Sequence, residues 1–281
     1  MMKYSSYSVL MSVYYKEEPK HLSDSIQSIL NQSFKTDDFI IVKDGPLTLE
    51  LENVLEWYVN KFPLIKIISL KKNVGLGLAL NEGLRHCKNE LVARMDSDDI
   101  CTIDRCKLQV ERFSENKKLI ILGTQIAEFY DSPENIVSVR EVPNSYEEIV
   151  KFSKRRSPFN HPTVMYKKSK ILELGGYKDI KRKEDLELFL NALSNNYYSE
   201  NLNFIGLFFR SNKYNYIRRK DITNCLNYIA VIFIFLKKGY CSINDFLFVL
   251  ISQLFFIIAP TKVMKFISDN LLRRKIENEE I

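Results

Sequence analysis

Three carboxylates crowd the stretch Asp96-Ser97-Asp98-Asp99, directly after the mainly apolar run Leu91-Val92-Ala93-Arg94-Met95. A run of this kind ending in acids reads as a buried strand whose carboxyl end meets a surface. Carboxylates so close together repel one another, and oxygen-rich clusters are neutralised by a hard divalent cation such as Mn2+ or Mg2+. Two aspartates with one spacer can share that ion with a diphosphate, which suggests a nucleotide-diphosphate site. The same acids could instead cap a helix, because Ile103 to Val110 reads as helical and Asp98 and Asp99 stand just before it. The cluster alone leaves both readings open.

Other candidates are spread along the chain. Asp44 closes the apolar run Phe39-Ile40-Ile41-Val42-Lys43 and is followed by the turn residues Gly45-Pro46. Glu184 and Asp185 stand in the first turn of an amphipathic helix whose apolar face is Leu186, Phe189, Leu190 and Leu193. Acids there complement the helix dipole, and a positioned carboxylate is also what a general base requires. His161, between Asn160 and Pro162, either lines a site or holds a loop. Asn73-Val74-Gly75-Leu76-Gly77 opens a helix from Leu78 to Cys87, but Leu80 replaces the third small residue of a dinucleotide fingerprint and no Walker lysine is present. The glycines serve tight loop geometry or bring a helix N-terminus to a phosphate.

These residues need a scaffold that brings them together. Val9 to Tyr15 reads as a strand, and Leu22, Ile26, Ile29 and Leu30 as one face of a helix. A second helix carries Leu51, Val54, Leu55, Tyr58 and Val59, and a further strand spans Ile65 to Leu70. Strand and helix alternating in this way predict an α/β fold with a mostly parallel sheet covered on both faces. Ligands in such sheets bind at the strands' carboxyl edge, where Asp44 and the Asp96 to Asp99 cluster both fall. Farther on, Leu119 to Thr124 and Gln125 to Tyr130 read as two strands. A hairpin turn at Asp131-Ser132-Pro133 then leads to an exposed strand, Ile136 to Val142. A polar helix near Tyr146 to Phe152 and a short strand, Thr163 to Tyr166, complete this part.

Composition narrows the function classes. The 281 residues allow one large α/β domain with an appendage, and the net charge is +6. Five cysteines without a C-x-x-C pair point to a reducing cytoplasm rather than a disulfide framework, and three histidines offer no zinc spacing. The polar N-terminus is not a signal peptide, so a cytoplasmic location is expected. Cations gather late in the chain, among them Arg210, Lys213, Arg218, Arg219, Lys220, Lys237, Lys238, Lys262, Lys265, Arg273, Arg274 and Lys275. They accompany the apolar runs Tyr228 to Leu236 and Phe246 to Ala259, and an amphipathic segment from Thr261 to Asn278. As a helix the longer run covers about 21 Å, short of a hydrocarbon core of roughly 30 Å. Apolar faces rimmed by cations suit an anionic membrane surface; a helical subdomain packed on the sheet, or a dimer contact, is the alternative. No nucleic-acid recognition module is legible.

In motif order over roughly the first 200 residues, the chain resembles glycosyltransferase family 2, inverting enzymes of the GT-A fold. The motifs are the opening strand Val9 to Tyr14, Asp44, the Asn73 to Gly83 segment, Asp96-Ser97-Asp98, and Glu184-Asp185. Within that family it is similar to bacterial enzymes that build O-antigen or capsule repeat units. The resemblance implies a catalytic domain over 1–205 and a basic, apolar helical region over 206–281 that associates with the membrane. It implies that Ser12, Tyr14 and Asn73 border a nucleotide sugar and that Asp44 accepts a hydrogen bond from uracil. Asp96 would face the ribose or metal, Asp98 would be the principal ligand of Mn2+ or Mg2+, and Asp185 would be the catalytic base, tuned by Glu184. Where many members have Ala-Arg-Asn, this chain has Ala79-Leu80-Asn81, leaving Arg94 or Lys72 as candidate diphosphate contacts. Lys43 likewise precedes Asp44 where an aspartate is common.

The implied reaction moves a hexose from UDP-glucose or UDP-galactose to a sugar on a polyprenyl diphosphate. The enzyme would be peripheral on the inner face of a bacterial cell membrane. A deoxy-sugar donor such as dTDP-rhamnose is the alternative. Two other classes compete: another nucleotide-using α/β enzyme such as a nucleotidyltransferase, for which the stretch Tyr15-Lys16-Glu17-Glu18 lacks a basic glycine-rich loop, and a noncatalytic membrane-associated scaffold.

Overall fold

A computed structural model describes residues 5–211 and 221–260 of the chain. Four strands, β1 (Tyr7–Val13), β2 (Asp38–Lys43), β3 (Ile65–Ser69) and β4 (Leu91–Asp96), pair in parallel in the order β3-β2-β1-β4. Successive strand side chains point to opposite faces, so each apolar run feeds two cores. Val9, Met11, Ile41, Ala93 and Met95 pack with residues of α1 (Pro19–Leu30), α2 (Leu49–Lys61) and α4 (Arg105–Glu115). Leu10, Ile40, Val42 and Val92 pack with residues of α3 (Leu76–His86) and α7 (Glu184–Ser194) on the other side. Burial on both faces explains why these strands read as continuous apolar runs.

The sheet continues past β4 as β8-β6-β9-β5, through β8 (Met165–Lys167), β6 (Ile121–Phe129), β9 (Ser199–Arg210) and β5 (Ile100–Cys101), with β7 (Ile136–Arg140) hydrogen-bonded to β6. The long ladders are parallel; the shorter pairings made by β5, β7 and β8 are antiparallel. Two strands were expected between Leu119 and Tyr130, but β6 is one. The polar interruption Gly123-Thr124-Gln125 is buried, and Gln125 is satisfied there by giving Nε2 to the Val142 carbonyl at 3.0 Å and accepting the Val142 N–H at 2.7 Å. The break is in the partner, whose register slips opposite Thr124 and Gln125. Gly206 of β9 lies there against the Thr124 side chain, where a Cβ would not fit.

The helices α5 (Tyr146–Ser153) and α6 (Lys168–Glu173) cover the second half of the sheet. β9 continues through Arg210, so the sheet passes the expected 205/206 boundary. Beyond it, α8 (Ile222–Lys237) and α9 (Ile243–Ile258) form a hairpin, joined to the outer face of α7 by a core of Leu186, Leu190, Val231, Ile232, Phe235 and Val249. Among the described residues, no helix is long and apolar enough to cross a membrane. The cations Lys213, Arg218, Arg219 and Lys220 and the segment Thr261 to Asn278 lie outside the described residues.

Candidate active site

A cleft of about 1060 Å³ opens at the carboxyl ends of the parallel strands, and Ser12, Tyr14, Asp44, Asn73, Asp96, Asp98 and Glu184 all line it. Topology thus gathers acids that are far apart in sequence onto one edge.

At one end of the cleft, a carboxylate oxygen from each of Asp96, Asp98 and Asp99 lies within 4.8 Å of the others. Removal from water, with the charges of Asp96 and Glu17, pushes the Asp98 carboxyl up to about 7. Asp99 is driven in the same direction by burial and then by Asp98 and Asp96. The cluster does not cap a helix: α4 begins after Asp104, while Asp99 accepts the backbone N–H of Arg210 at 2.9 Å. The Arg210 guanidinium in turn donates to the Asp98 carbonyl at 2.8 Å. Three crowded hard-oxygen donors, with Asp99 Oδ2 buried and unpartnered, match the donor set of Mg2+ or Mn2+.

Asp44 organises the neighbouring wall. Its two carboxylate oxygens accept the N–H groups of Val74 (2.7 Å) and Gly75 (3.0 Å), and its carbonyl accepts from the Asn73 side chain at 3.2 Å. Gly45 (φ 88°) lets the two turns meet, since a Cβ there would stand 2.6 Å from the Asn73 nitrogen. Gly75 (φ 93°) is the residue before α3, with Leu76, Gly77 and Leu78 of its first turn on the cleft. The first-turn N–H groups of a helix carry partial positive charge and suit an anion.

At the other end, Glu184 opens α7 with its side chain in the cleft, and its buried Oε2 has no hydrogen-bond partner. Burial, and then the charge of Asp185, pushes its carboxyl up to about 7. Asp185, half-buried, is not among the lining residues; its charge acts on Lys183 and on Tyr228 of α8.

Two other expected residues sit behind the cleft rather than in it. Arg94 is 1 % exposed and forms an ion pair with Asp96. His161 shares a 2.9 Å hydrogen bond with the Tyr177 hydroxyl, and burial, together with Arg94, depresses its basicity well below the ordinary value. Asn81 clamps the same tyrosine, exchanging 2.8 Å bonds with its backbone N–H and carbonyl. Lys72 is exposed and is not among the lining residues; the cations that do line the cleft include Lys178, Lys181, Arg182 and Arg210. Asp99 had a sequence signal in its adjacency to Asp98. Arg210 stood out in the sequence only as one of the late cations and Lys178 not at all, because the end of β9 and the segment before α7 bring them to the cleft from far along the chain.

Residues 8–175 match the family described as Glycosyl transferase family 2. An uncharacterized glycosyltransferase of Haemophilus influenzae is 37% identical over 268 residues, covering 95% of this chain and 99% of that protein. A UDP-Gal:alpha-D-GlcNAc-diphosphoundecaprenol beta-1,3-galactosyltransferase of Escherichia coli is 36% identical, covering 95% of this chain and 97% of that one. The solved structure of a mannosyltransferase of Pyrobaculum calidifontis, in complex with GDP-Man and Mn2+, shares the fold with a TM-score of 0.65 at 14% identity, over 94% of this chain and 72% of that one.

Proposed function

We propose, for a chain that belongs to glycosyl transferase family 2, an inverting transfer of a hexose from a UDP-sugar to a sugar carried on a polyprenyl diphosphate. The observation that carries this reading is one cleft with an acidic cluster at one end and Glu184, next to Asp185 in the first turn of α7, at the other. Galactose is the preferred hexose, because a relative covering almost the whole chain is named for UDP-Gal and a GlcNAc-diphosphoundecaprenol acceptor.

In this reading the nucleoside lies against Ser12, Tyr14 and Asp44, and the diphosphate lies between the first turn of α3 and the acidic cluster. A divalent cation held by Asp96, Asp98 and Asp99 would offset the charge of the departing diphosphate. Lys178, Arg182 and Arg210 add positive charge around the cleft. Glu184 faces the donor sugar. Asp185, on the side of Lys183 and Tyr228, takes the proton of the acceptor hydroxyl as that oxygen bonds to the anomeric carbon and the bond to UDP breaks. One in-line displacement inverts the centre, so an α-linked donor gives a β-glycoside.

The helical hairpin is the proposed point of peripheral attachment at the cytoplasmic membrane face. Phe233, Ile234, Leu247, Phe248, Ile251 and Phe255 are exposed on it, and Lys237 and Lys238 stand over the Phe233 and Phe235 rings at 4.6 Å. The deciding experiment is incubation with UDP-galactose, UDP-glucose and dTDP-rhamnose, each with a GlcNAc-diphosphate lipid and Mn2+, followed by product mass and the anomeric coupling constant of any product by NMR. A β-linked hexosyl product from a UDP donor supports the reading; no product from any donor refutes it.

A further inference from the structure

Two arginines are fully buried at the end of β4, and they are used differently. Arg105 engages structural acceptors: the Arg94 carbonyl at 2.8 Å, Gln109 Oε1 at 3.2 Å, and the sulfurs of Met95 and Cys101 at 3.6 and 3.7 Å. Arg94 points to the other face of the strand. One of its terminal nitrogens contacts a carboxylate oxygen of Asp96, whose side chain is 28% exposed to the cleft, whereas Nε and Nη1 are buried with no acceptor. The Arg94 charge also acts on Glu184, whose buried Oε2 has no hydrogen-bond partner, and on Asp98 and Asp99.

A guanidinium taken out of water is costly unless it is well paired, and a packing role would be served as well by an apolar side chain of similar size. What an apolar residue could not supply is a fixed, planar cation against the Asp96 carboxylate. We propose that Arg94 is a positioning residue: its guanidinium, buried behind the cleft against Asp96, orients that carboxylate toward the bound cation. The inference rests on the reading of the cleft as a UDP-sugar site. The other groups facing Glu184 are Asp185 and Lys183 beside it on the chain and Tyr177 from the turn before α7. None of these is a buried, permanently charged cation.

The test compares Arg94→Lys and Arg94→Met with the full-length wild type, using calorimetric UDP binding with Mn2+ and the pH profile of kcat/KM. Lysine keeps the charge but not the planar fork. Both variants should bind UDP with Mn2+ at least about tenfold more weakly, as loss of a residue orienting a metal ligand does. Only the methionine variant should move the acid limb of the profile upward, by roughly one pH unit, because removing a nearby cation raises carboxyl pKa values. Wild-type affinity in Arg94→Lys, or an equal pH shift in both variants, overturns the proposal. Should Arg94→Met not fold, Arg94→Lys alone decides, with weakened binding at an unmoved acid limb as the supporting result. A wild type that binds no UDP with Mn2+ would instead overturn the functional reading itself.

Discussion

The carboxylate of Asp44 holds the turn at Gly75: its Oδ2 accepts the Gly75 N–H at 3.0 Å while Oδ1 accepts the Val74 N–H at 2.7 Å. One side chain therefore fixes the wall of the cleft and the point where α3 begins. Both oxygens already serve the loop, so any contact to a base must use their remaining lone pairs.

Asp44→Asn replaces one accepting oxygen with a donor that faces a backbone N–H. Chemical denaturation should show a loss of about 1–3 kcal/mol, and UDP affinity should fall with it. Unchanged stability would mean that the turn is held by other contacts.

Gly45→Ala should be the more damaging of two glycine changes. At Gly45 a positive φ coincides with a Cβ position 2.6 Å from the Asn73 nitrogen, whereas at Gly75 φ is positive but the space is open. Backbone strain alone costs about 1–3 kcal/mol, and Gly45→Ala adds the displacement of the Asn73 turn. Melting temperatures of the two variants, measured side by side, check the order.

Asp98→Ala and Asp185→Asn should separate binding from chemistry. The first removes a member of the acidic cluster and should abolish Mn2+-dependent UDP binding; the second should leave that binding within about twofold and remove transfer. Calorimetry and a single-turnover assay read the two effects independently. Full transfer in Asp185→Asn would move the base role to Glu184.

The cation effect on stability should depend on pH. Asp98, Asp99 and Glu184 hold protons more tightly in the folded chain than in an unfolded one. Their contribution is therefore fully present below the ordinary carboxylate range and is lost as pH rises through about 7, the folded value for Asp98 and Glu184. Mn2+ competes with the protons on Asp98 and Asp99, so it should raise the melting temperature more at about pH 8 than at about pH 6. Equal shifts at both would exclude binding at these carboxylates.

Phe248→Glu combined with Ile251→Glu places charge on exposed positions of α9. If the hairpin attaches as proposed, flotation with vesicles containing anionic lipid should decrease at least about tenfold, since two apolar side chains are lost from its exposed face, while UDP binding with Mn2+ is retained. Undiminished flotation would remove the hairpin from the attachment site.

The sequence by itself determined the layered α/β architecture, because apolar strands buried on both faces and amphipathic helices leave periodic signatures in the residues that form them. It also marked the acids at strand ends, which stand next to the apolar runs that position them. Tertiary structure alone decided how those groups are used. Asp96, Asp98 and Asp99 share one cluster, Asp44 is engaged by its own loop, and Arg94 and His161 lie behind the cleft. It also made β6 a single strand, because the polar residues that look like a break are satisfied across the sheet. Period and composition are local properties of the chain. Hydrogen-bond partners, burial and the field of a neighbouring charge come from residues distant in sequence, and these exist only once the chain has folded.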